Sequence, residues 1–269
     1  MTTSLQQGGS AQFLDGNESM PALSIAGLHK VFGETVAVNH VDLTVPQGSF
    51  FGVVGPNGAG KTTLLSMAVG LLRPTAGRVK VFGTDVWAES TRAKALLGVL
   101  PDGLALPERL TGRELLTFLG RLRGLDPMTV AQRSEELLSV MGLTKAERTL
   151  VIDYSTGMRK KISLATALLH NPKLLVLDEP FEAVDPVSAS TLKTILQRFV
   201  AAGGTVVLSS HVMALVEQLC DSVAVIANGR VAASGPLDQV RDGRSLEETF
   251  MQLVGVEGSG EEHLSWLAS

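Results

Sequence analysis

The sequence predicts an α/β fold: a layered core of buried strands and helices, a small antiparallel β subdomain at its start, and a helical subdomain inserted in its middle. Three observations predict it. Short apolar runs at Phe50–Val54, Leu174–Leu177 and Thr205–Ser209 have the unbroken hydrophobicity of strands covered on both faces, and helical segments flank them. Leu23-Ser-Ile, Val36-Ala-Val and Val41-Asp-Leu-Thr-Val alternate with turns, the pattern of a small antiparallel sheet. Between Asp102 and Ser155 the apolar period becomes helical.

Taken in order, residues 1–21 read as a flexible tail, 22–235 as one domain with its helical insert at about 102–158, and 236–269 as a C-terminal helical extension and tail. Phe50–Val54 is the first buried strand, a glycine loop follows at once, and Thr63–Leu72 is expected to be a helix stopped by Arg73-Pro-Thr-Ala-Gly77. In the insert, Glu114–Leu122 sets Leu115, Leu119 and Leu122 at helical spacing, and Leu137, Leu138 and Met141 repeat it. Val206–Ala227 reads as strand, helix, strand. Asn228-Gly229 between two β-type runs is a hairpin turn.

Composition narrows the function classes. With 45% hydrophobic and 19% charged residues over 269 positions, the chain can bury a sizeable core. A net charge of −4 speaks against a nucleic-acid partner, which selects for a basic stripe. Cys220 is the only cysteine, so an internal disulfide is excluded, and it reads as a small buried hydrophobe. Met1–Ser19 lacks the apolar centre of a signal peptide. A membrane span needs roughly 20 mostly apolar residues, and the nearest candidate, Val206–Ala227, is interrupted by His211, Glu217, Gln218 and Asp221. Any membrane role is therefore expected to come through a partner.

The chemistry is concentrated in two motifs. Gly55-Pro56-Asn57-Gly58-Ala59-Gly60-Lys61-Thr62 fits G-x-x-x-x-G-K-[ST], between a strand and a helix, and continues into Thr63. Glycines let successive N–H groups curl inward toward phosphate oxygens, and the positive end of the following helix favours the same anion. Lys61 is expected to neutralise the terminal phosphates of ATP and Thr62 to offer its hydroxyl oxygen to Mg²⁺. This loop makes the core a P-loop NTPase core of the RecA-like type. The second motif, Leu174-Leu-Val-Leu-Asp178-Glu179, ends a buried strand on two carboxylates. Beside a phosphate loop, Asp178 suits the Mg²⁺ and Glu179 the attacking water as general base; alone, the pair would read as a solvated acidic turn.

In their order and spacing these residues resemble the ATP-binding cassette (ABC) ATPases over roughly Leu23–Gly235. Gly55–Thr63 is similar to the Walker A loop and Leu174–Glu179 to Walker B. Tyr154-Ser-Thr-Gly-Met158 resembles the family signature, Asp185 the D-loop aspartate, and His211 the switch histidine. Phe32 matches the aromatic residue that stacks on adenine. The resemblance implies a head-to-tail homodimer sandwiching ATP, in which Ser155 and Gly157 of one copy meet the γ-phosphate held by the other. It also implies that His211 orients the attacking water. One nucleotide domain without a span implies an energy subunit beneath separate integral membrane permease subunits, cytoplasmic and peripheral on the inner face of the cell membrane. Ser245–Gly255 resembles the C-terminal end of drug and multidrug efflux ATPases, which puts an exporter ahead of an importer. A soluble ABC ATPase of ribosomes or DNA is the reading from another class; its usual second cassette, coiled coil or basic insert is missing here.

Three motifs depart from the family pattern. Asp102 stands where the Q-loop glutamine is usual, Thr156 and Met158 replace a glycine and a glutamine of the signature, and Phe181-Glu-Ala-Val-Asp185 lacks the common D-loop glycine. Aspartate accepts hydrogen bonds only, so Asp102 can reach Mg²⁺ through a water but cannot donate as glutamine does.

Overall fold

The computed structural model describes residues 20–103 and 105–254; most of the expected N-terminal tail, Gly255 and the rest of the C-terminal tail lie outside the described residues. The chain opens with two long antiparallel strands, β1 (Leu23–Phe32) and β2 (Thr35–Val45), where the sequence reads as three short runs. Register shifts between Ile25 and Lys30 absorb the irregular alternation that made the runs look separate. Strand β3 (Phe50–Val54) leads through the glycine loop into α1 (Lys61–Ala68). The helix begins two residues before the expected Thr63 and ends at Ala68, not Leu72. Gly70, at φ 75°, turns the chain before the Arg-Pro signal is reached. Ala76-Gly77, expected as part of a stop, instead begins β4 (Ala76–Val81), which pairs with β1 and with the short β5 (Thr84–Asp85). The first sheet thus runs β2-β1-β4-β5.

Helix α2 (Ser90–Leu96) leads into β6 (Leu97–Leu100), and the helical insert follows as α3 (Gly112–Leu122) and α4 (Pro127–Val140). Thr111 and Glu114 form a capping box at the start of α3, and Asp126 caps α4 ahead of a helix-starting proline. The buried stripe of α3 is Leu115, Leu116 and Gly120; Leu122, expected to share it, is 73% exposed. Leu122 is the last residue of α3, whereas α4 makes its close approach two residues earlier, where a Cβ on Gly120 would lie 2.6 Å from the Val130 side chain. Two short 3₁₀ turns, Thr144–Ala146 and Val151–Asp153, lead to α5 (Thr156–Leu168), which carries the insert back to the core.

From there the chain alternates β7 (Leu174–Leu177), α6 (Pro186–Ala201), β8 (Thr205–Ser210), α7 (Met213–Leu219) and β9 (Ser222–Ala227). The Asn228-Gly229 turn, both residues at positive φ, then starts β10 (Arg230–Pro236), and α8 (Leu237–Arg241) and α9 (Leu246–Val254) close the described chain. The second sheet runs β10-β9-β3-β8-β7-β6, parallel except for the antiparallel edge strand β10. Its strands feed two cores by simple alternation. Phe50, Val54, Leu175, Leu177, Val206 and Leu208 face the helices of the insert and the C-terminal half. Phe51, Val53, Leu174, Val176 and Val207 face α1 and the antiparallel sheet. Both faces are covered, so the polar ends of β3, β7 and β8 are where chemistry can reach solvent.

Candidate nucleotide-binding site

At those strand ends lies a cavity of about 360 Å³ lined by Ala37, Asn57, Gly58, Gly60, Lys61, Thr62, Thr63, Asp102, Glu179, Glu182 and His211. Five parts of the chain therefore converge on one space: β2, the glycine loop with α1, and the segments after β6, β7 and β8. The loop Gly55–Gly60 is held from both sides: Ala59 C=O accepts from Gly229 N–H at 3.0 Å, and Gly60 passes the carbonyl oxygen of Ala37 so closely that a Cβ there would run into it. Gly60 also takes φ 101°, so the position is closed to other residues twice over. The first backbone bond of α1 is Leu64 N–H to Gly60 C=O at 2.8 Å. The N–H groups of Lys61, Thr62 and Thr63 precede it, and they are the donors a helix start leaves to a ligand.

Lys61 is buried to 6% exposure, an unusual place for an ammonium group. Its Nζ donates to the carbonyls of Gly55 at 2.9 Å and Pro56 at 3.2 Å, and stands 3.7 Å from Glu179 Oε1. The other oxygen of Glu179 lies 3.1 Å from His211 Nδ1. One half-enclosed carboxylate thus bridges the P-loop lysine and a histidine from the end of β8. Asp178 lies beneath it at 4% exposure, accepting a 2.5 Å hydrogen bond from Ser209 Oγ. Ser209 Oγ also accepts from the Glu179 N–H at 2.9 Å. The peptide is strained: Glu179 has φ 45°, a region that costs a non-glycine residue on the order of 1 kcal/mol.

The signature turn lies elsewhere. Ser155 caps α5, accepting from Met158 N–H at 3.3 Å, and Asp185 caps α6, accepting from Ser188 N–H at 2.9 Å. Hydrogen bonds from the Ser188 side chain and N–H hold the Asp185 carboxyl below the usual carboxylate range. Gly157 sits between the two caps, where an added Cβ would be 2.6 Å from Asp185 Oδ2 and 2.7 Å from Ser188 Oγ.

Comparison with known proteins agrees with this geometry. The family model described as ABC transporter matches residues 38–182, more than half of the chain. The chain belongs to the ABC transporter family. It is 39% identical over 232 residues to the daunorubicin/doxorubicin resistance ATP-binding protein DrrA of Streptomyces peucetius, covering 86% of this chain and 70% of that one. It is 35% identical over 242 residues to the linearmycin resistance ATP-binding protein LnrL of Bacillus subtilis (strain 168), covering 90% and 77%. Among solved structures, an ATP-binding subunit of an ABC transporter superposes with a TM-score of 0.80 at 29% identity, over 86% of this chain and 99% of that one.

Most of the residues that the sequence singles out for a nucleotide lie around this one cavity. Asn57, Gly58, Gly60, Lys61, Thr62, Thr63, Asp102, Glu179 and His211 all line the cavity. Gly55 and Ala59 lie buried behind it, and Pro56 stands exposed on the same loop. Phe32 is 48% exposed at the tip of the β1–β2 hairpin, outside the cavity lining, with the Lys30 ammonium 5.0 Å over its ring. Ser209 was missed. Its signal was a serine pair, Ser209-Ser210, at the tip of an otherwise apolar strand, which the hydrophobicity of Thr205–Leu208 overshadowed. His170, half-buried beside the core, is structural: its Nε2 hydrogen-bonds the Leu97 carbonyl at 2.8 Å, and burial together with the charge of Arg123 pulls it down to about 4.

Proposed function

We propose that this subunit couples ATP hydrolysis to the export of a small molecule by a separate membrane-spanning partner, as one of two identical copies in a head-to-tail dimer. The observation that carries the catalytic part is Glu179, placed between Lys61 and His211 at the mouth of the P-loop. Without nucleotide, Lys61 neutralises this carboxylate. When phosphate occupies the loop, the ammonium group has a stronger anionic partner, and Glu179 is released to accept a proton from water. Water then attacks the γ-phosphorus while the bond to the bridging oxygen of ADP breaks. His211, already beside Glu179, fixes the carboxylate and the water in line.

The residues also fit Mg²⁺. Thr62, in the cavity lining, and Asp178, buried next to Glu179, offer hard oxygen donors, and Mg²⁺ bound with a nucleotide commonly needs only one or two protein ligands besides phosphate oxygens and waters. Among the described residues no cluster of three His, Cys, Asp or Glu is arranged to hold a metal by itself, in keeping with an ion that arrives with its nucleotide. Bound there, the ion would neutralise charge on the phosphates.

Two further features support the transporter reading. Ser155, Thr156 and Asp185 are exposed and lie outside the P-loop cavity, as suits groups that serve a second copy's nucleotide. No helix among the described residues is long and apolar enough to cross a membrane, which fits a division of labour with a membrane-spanning partner. The resistance proteins to which the chain is similar favour export. Affinity capture from detergent-solubilised native membranes tests the reading: a co-purifying polytopic membrane protein is expected. Recovery with ribosomes, nucleic acid or nothing would remove the transport role and leave the ATPase standing.

A further inference from the structure

The backbone of Glu179 is held by two side chains from different parts of the fold. Ser209, at the end of β8, accepts from its N–H at 2.9 Å, and Lys160, on α5, donates from Nζ to its C=O at 2.9 Å. The only other partner of that carbonyl among the described residues is the N–H of Glu182, at a longer 3.3 Å within the same turn. The residue so held has φ 45°, a conformation that glutamate leaves unless its surroundings impose it. An ammonium-to-carbonyl hydrogen bond is charge-assisted, and Lys160 is half-buried, so this restraint is stronger than an exposed contact.

From this we infer that Lys160 is a positioning residue, which keeps the Glu179 peptide in its left-handed conformation and so makes the catalytic carboxylate depend on where α5 stands. The inference rests on the reading of Glu179 as general base. Lys160 lies in the first turns of the helix that Ser155 caps. A rigid helix therefore has the exposed signature turn at its start and, 5 residues on, a grip on the chain's own catalytic peptide. Anything that shifts the start of α5, a second copy's nucleotide above all, moves Lys160 and reaches Glu179 without passing through the P-loop. The cavity of about 320 Å³ between α5 and the strand ends, lined by Asp102, Thr156, Lys160 and Glu182 among others, gives α5 room to move against the core.

The test has two arms on the full-length protein. In nucleotide-free samples, amide hydrogen exchange is followed at Glu179, whose N–H is directly bonded in the clamp. Lys160→Met is expected to speed that exchange about tenfold while β3 and α1 stay unchanged, and Lys160→Arg to restore it. If Lys160→Met does not fold, Lys160→Gln takes its place. Exchange at Glu179 equal to wild type would overturn the inference. In the second arm, Lys160→Met is expected to lower kcat for ATP about tenfold with KM unchanged. Loss carried by KM instead would make Lys160 a nucleotide contact and overturn the positioning role. Should wild type hydrolyse no faster than Glu179→Gln, the base assignment fails, and the exchange arm still decides whether α5 holds the peptide.

Discussion

The P-loop side of the site and the signature turn are built to opposite rules. Around the P-loop, charged groups are buried and satisfied within the chain: Lys61 and Asp178 are at 6% and 4% exposure, and each has its partners. At the signature turn, Ser155, Thr156 and Asp185 are exposed, and the hydrogen bonds they make serve only to start helices α5 and α6. The first region holds a charged ligand by itself, because its dipoles and charges are already fixed when the ligand arrives. The second is a surface whose polar groups are oriented but unspent. In the proposed dimer, one chain would carry the binding half of a site for itself and the closing half for another copy.

The largest effects should separate these halves. Lys61→Ala removes the one ammonium group in the cavity and is expected to weaken binding of a fluorescent ATP analogue about a hundredfold, measured by titration. Glu179→Gln keeps the loop and the charge on Lys61, so binding should persist while phosphate release falls by about a hundredfold or more. The same variant with saturating MgATP should elute from a sizing column as a dimer. Binding unaffected in Lys61→Ala would refute the P-loop assignment, and a monomeric Glu179→Gln would refute closure by two copies alone.

A smaller effect tests whether the signature turn is surface throughout. Its outer side is free, but Gly157 on its inner side is packed against the α6 cap. The resemblance to the family assigns this glycine to close approach toward a second copy's phosphate; the structure shows a close approach already made within the chain. Gly157→Ala should therefore destabilise the isolated monomer, by about 1–3 kcal/mol, as overpacking of a filled site does. A denaturation midpoint equal to wild type would return Gly157 to a purely intermolecular role.

How legible these features were depends on how local their causes are. The P-loop and the Asp178-Glu179 strand tip could be read because phosphate and metal chemistry dictate residue types at fixed spacing within a few positions. The Asn228-Gly229 turn was legible for the same reason, since its positive φ values select those residues. Strand β4 was not, because Arg73-Pro74 and Gly77 look like a stop and only the pairing of β4 with β1, some 50 residues earlier, makes it a strand. The early end of α1 turned on one residue, Gly70, weighed against a stronger signal three positions on. Ser209 and Lys160 are harder still. Each acts on Glu179 across 30 and 19 residues of chain, through a backbone group that every residue possesses, so no side-chain pattern marks them.

Asp102 carries the smallest expected effect and lies on the boundary between the two halves, lining both the P-loop cavity and the gap beside α5. It is exposed, and its carboxylate adds negative charge to a space that Glu179 and Glu182 already line. If it belongs to the P-loop half, it attracts Mg²⁺ through an intervening water. Asp102→Gln should then raise the Mg²⁺ concentration for half-maximal hydrolysis about threefold, with ATP affinity in the absence of Mg²⁺ unchanged or slightly improved as one repulsive charge is lost. A Mg²⁺ titration identical to wild type would place Asp102 with the exposed surface instead. The boundary between the self-sufficient half of the site and the half offered to a partner would then run between Asp102 and Thr62, closer to the nucleotide than the cavity lining alone implies.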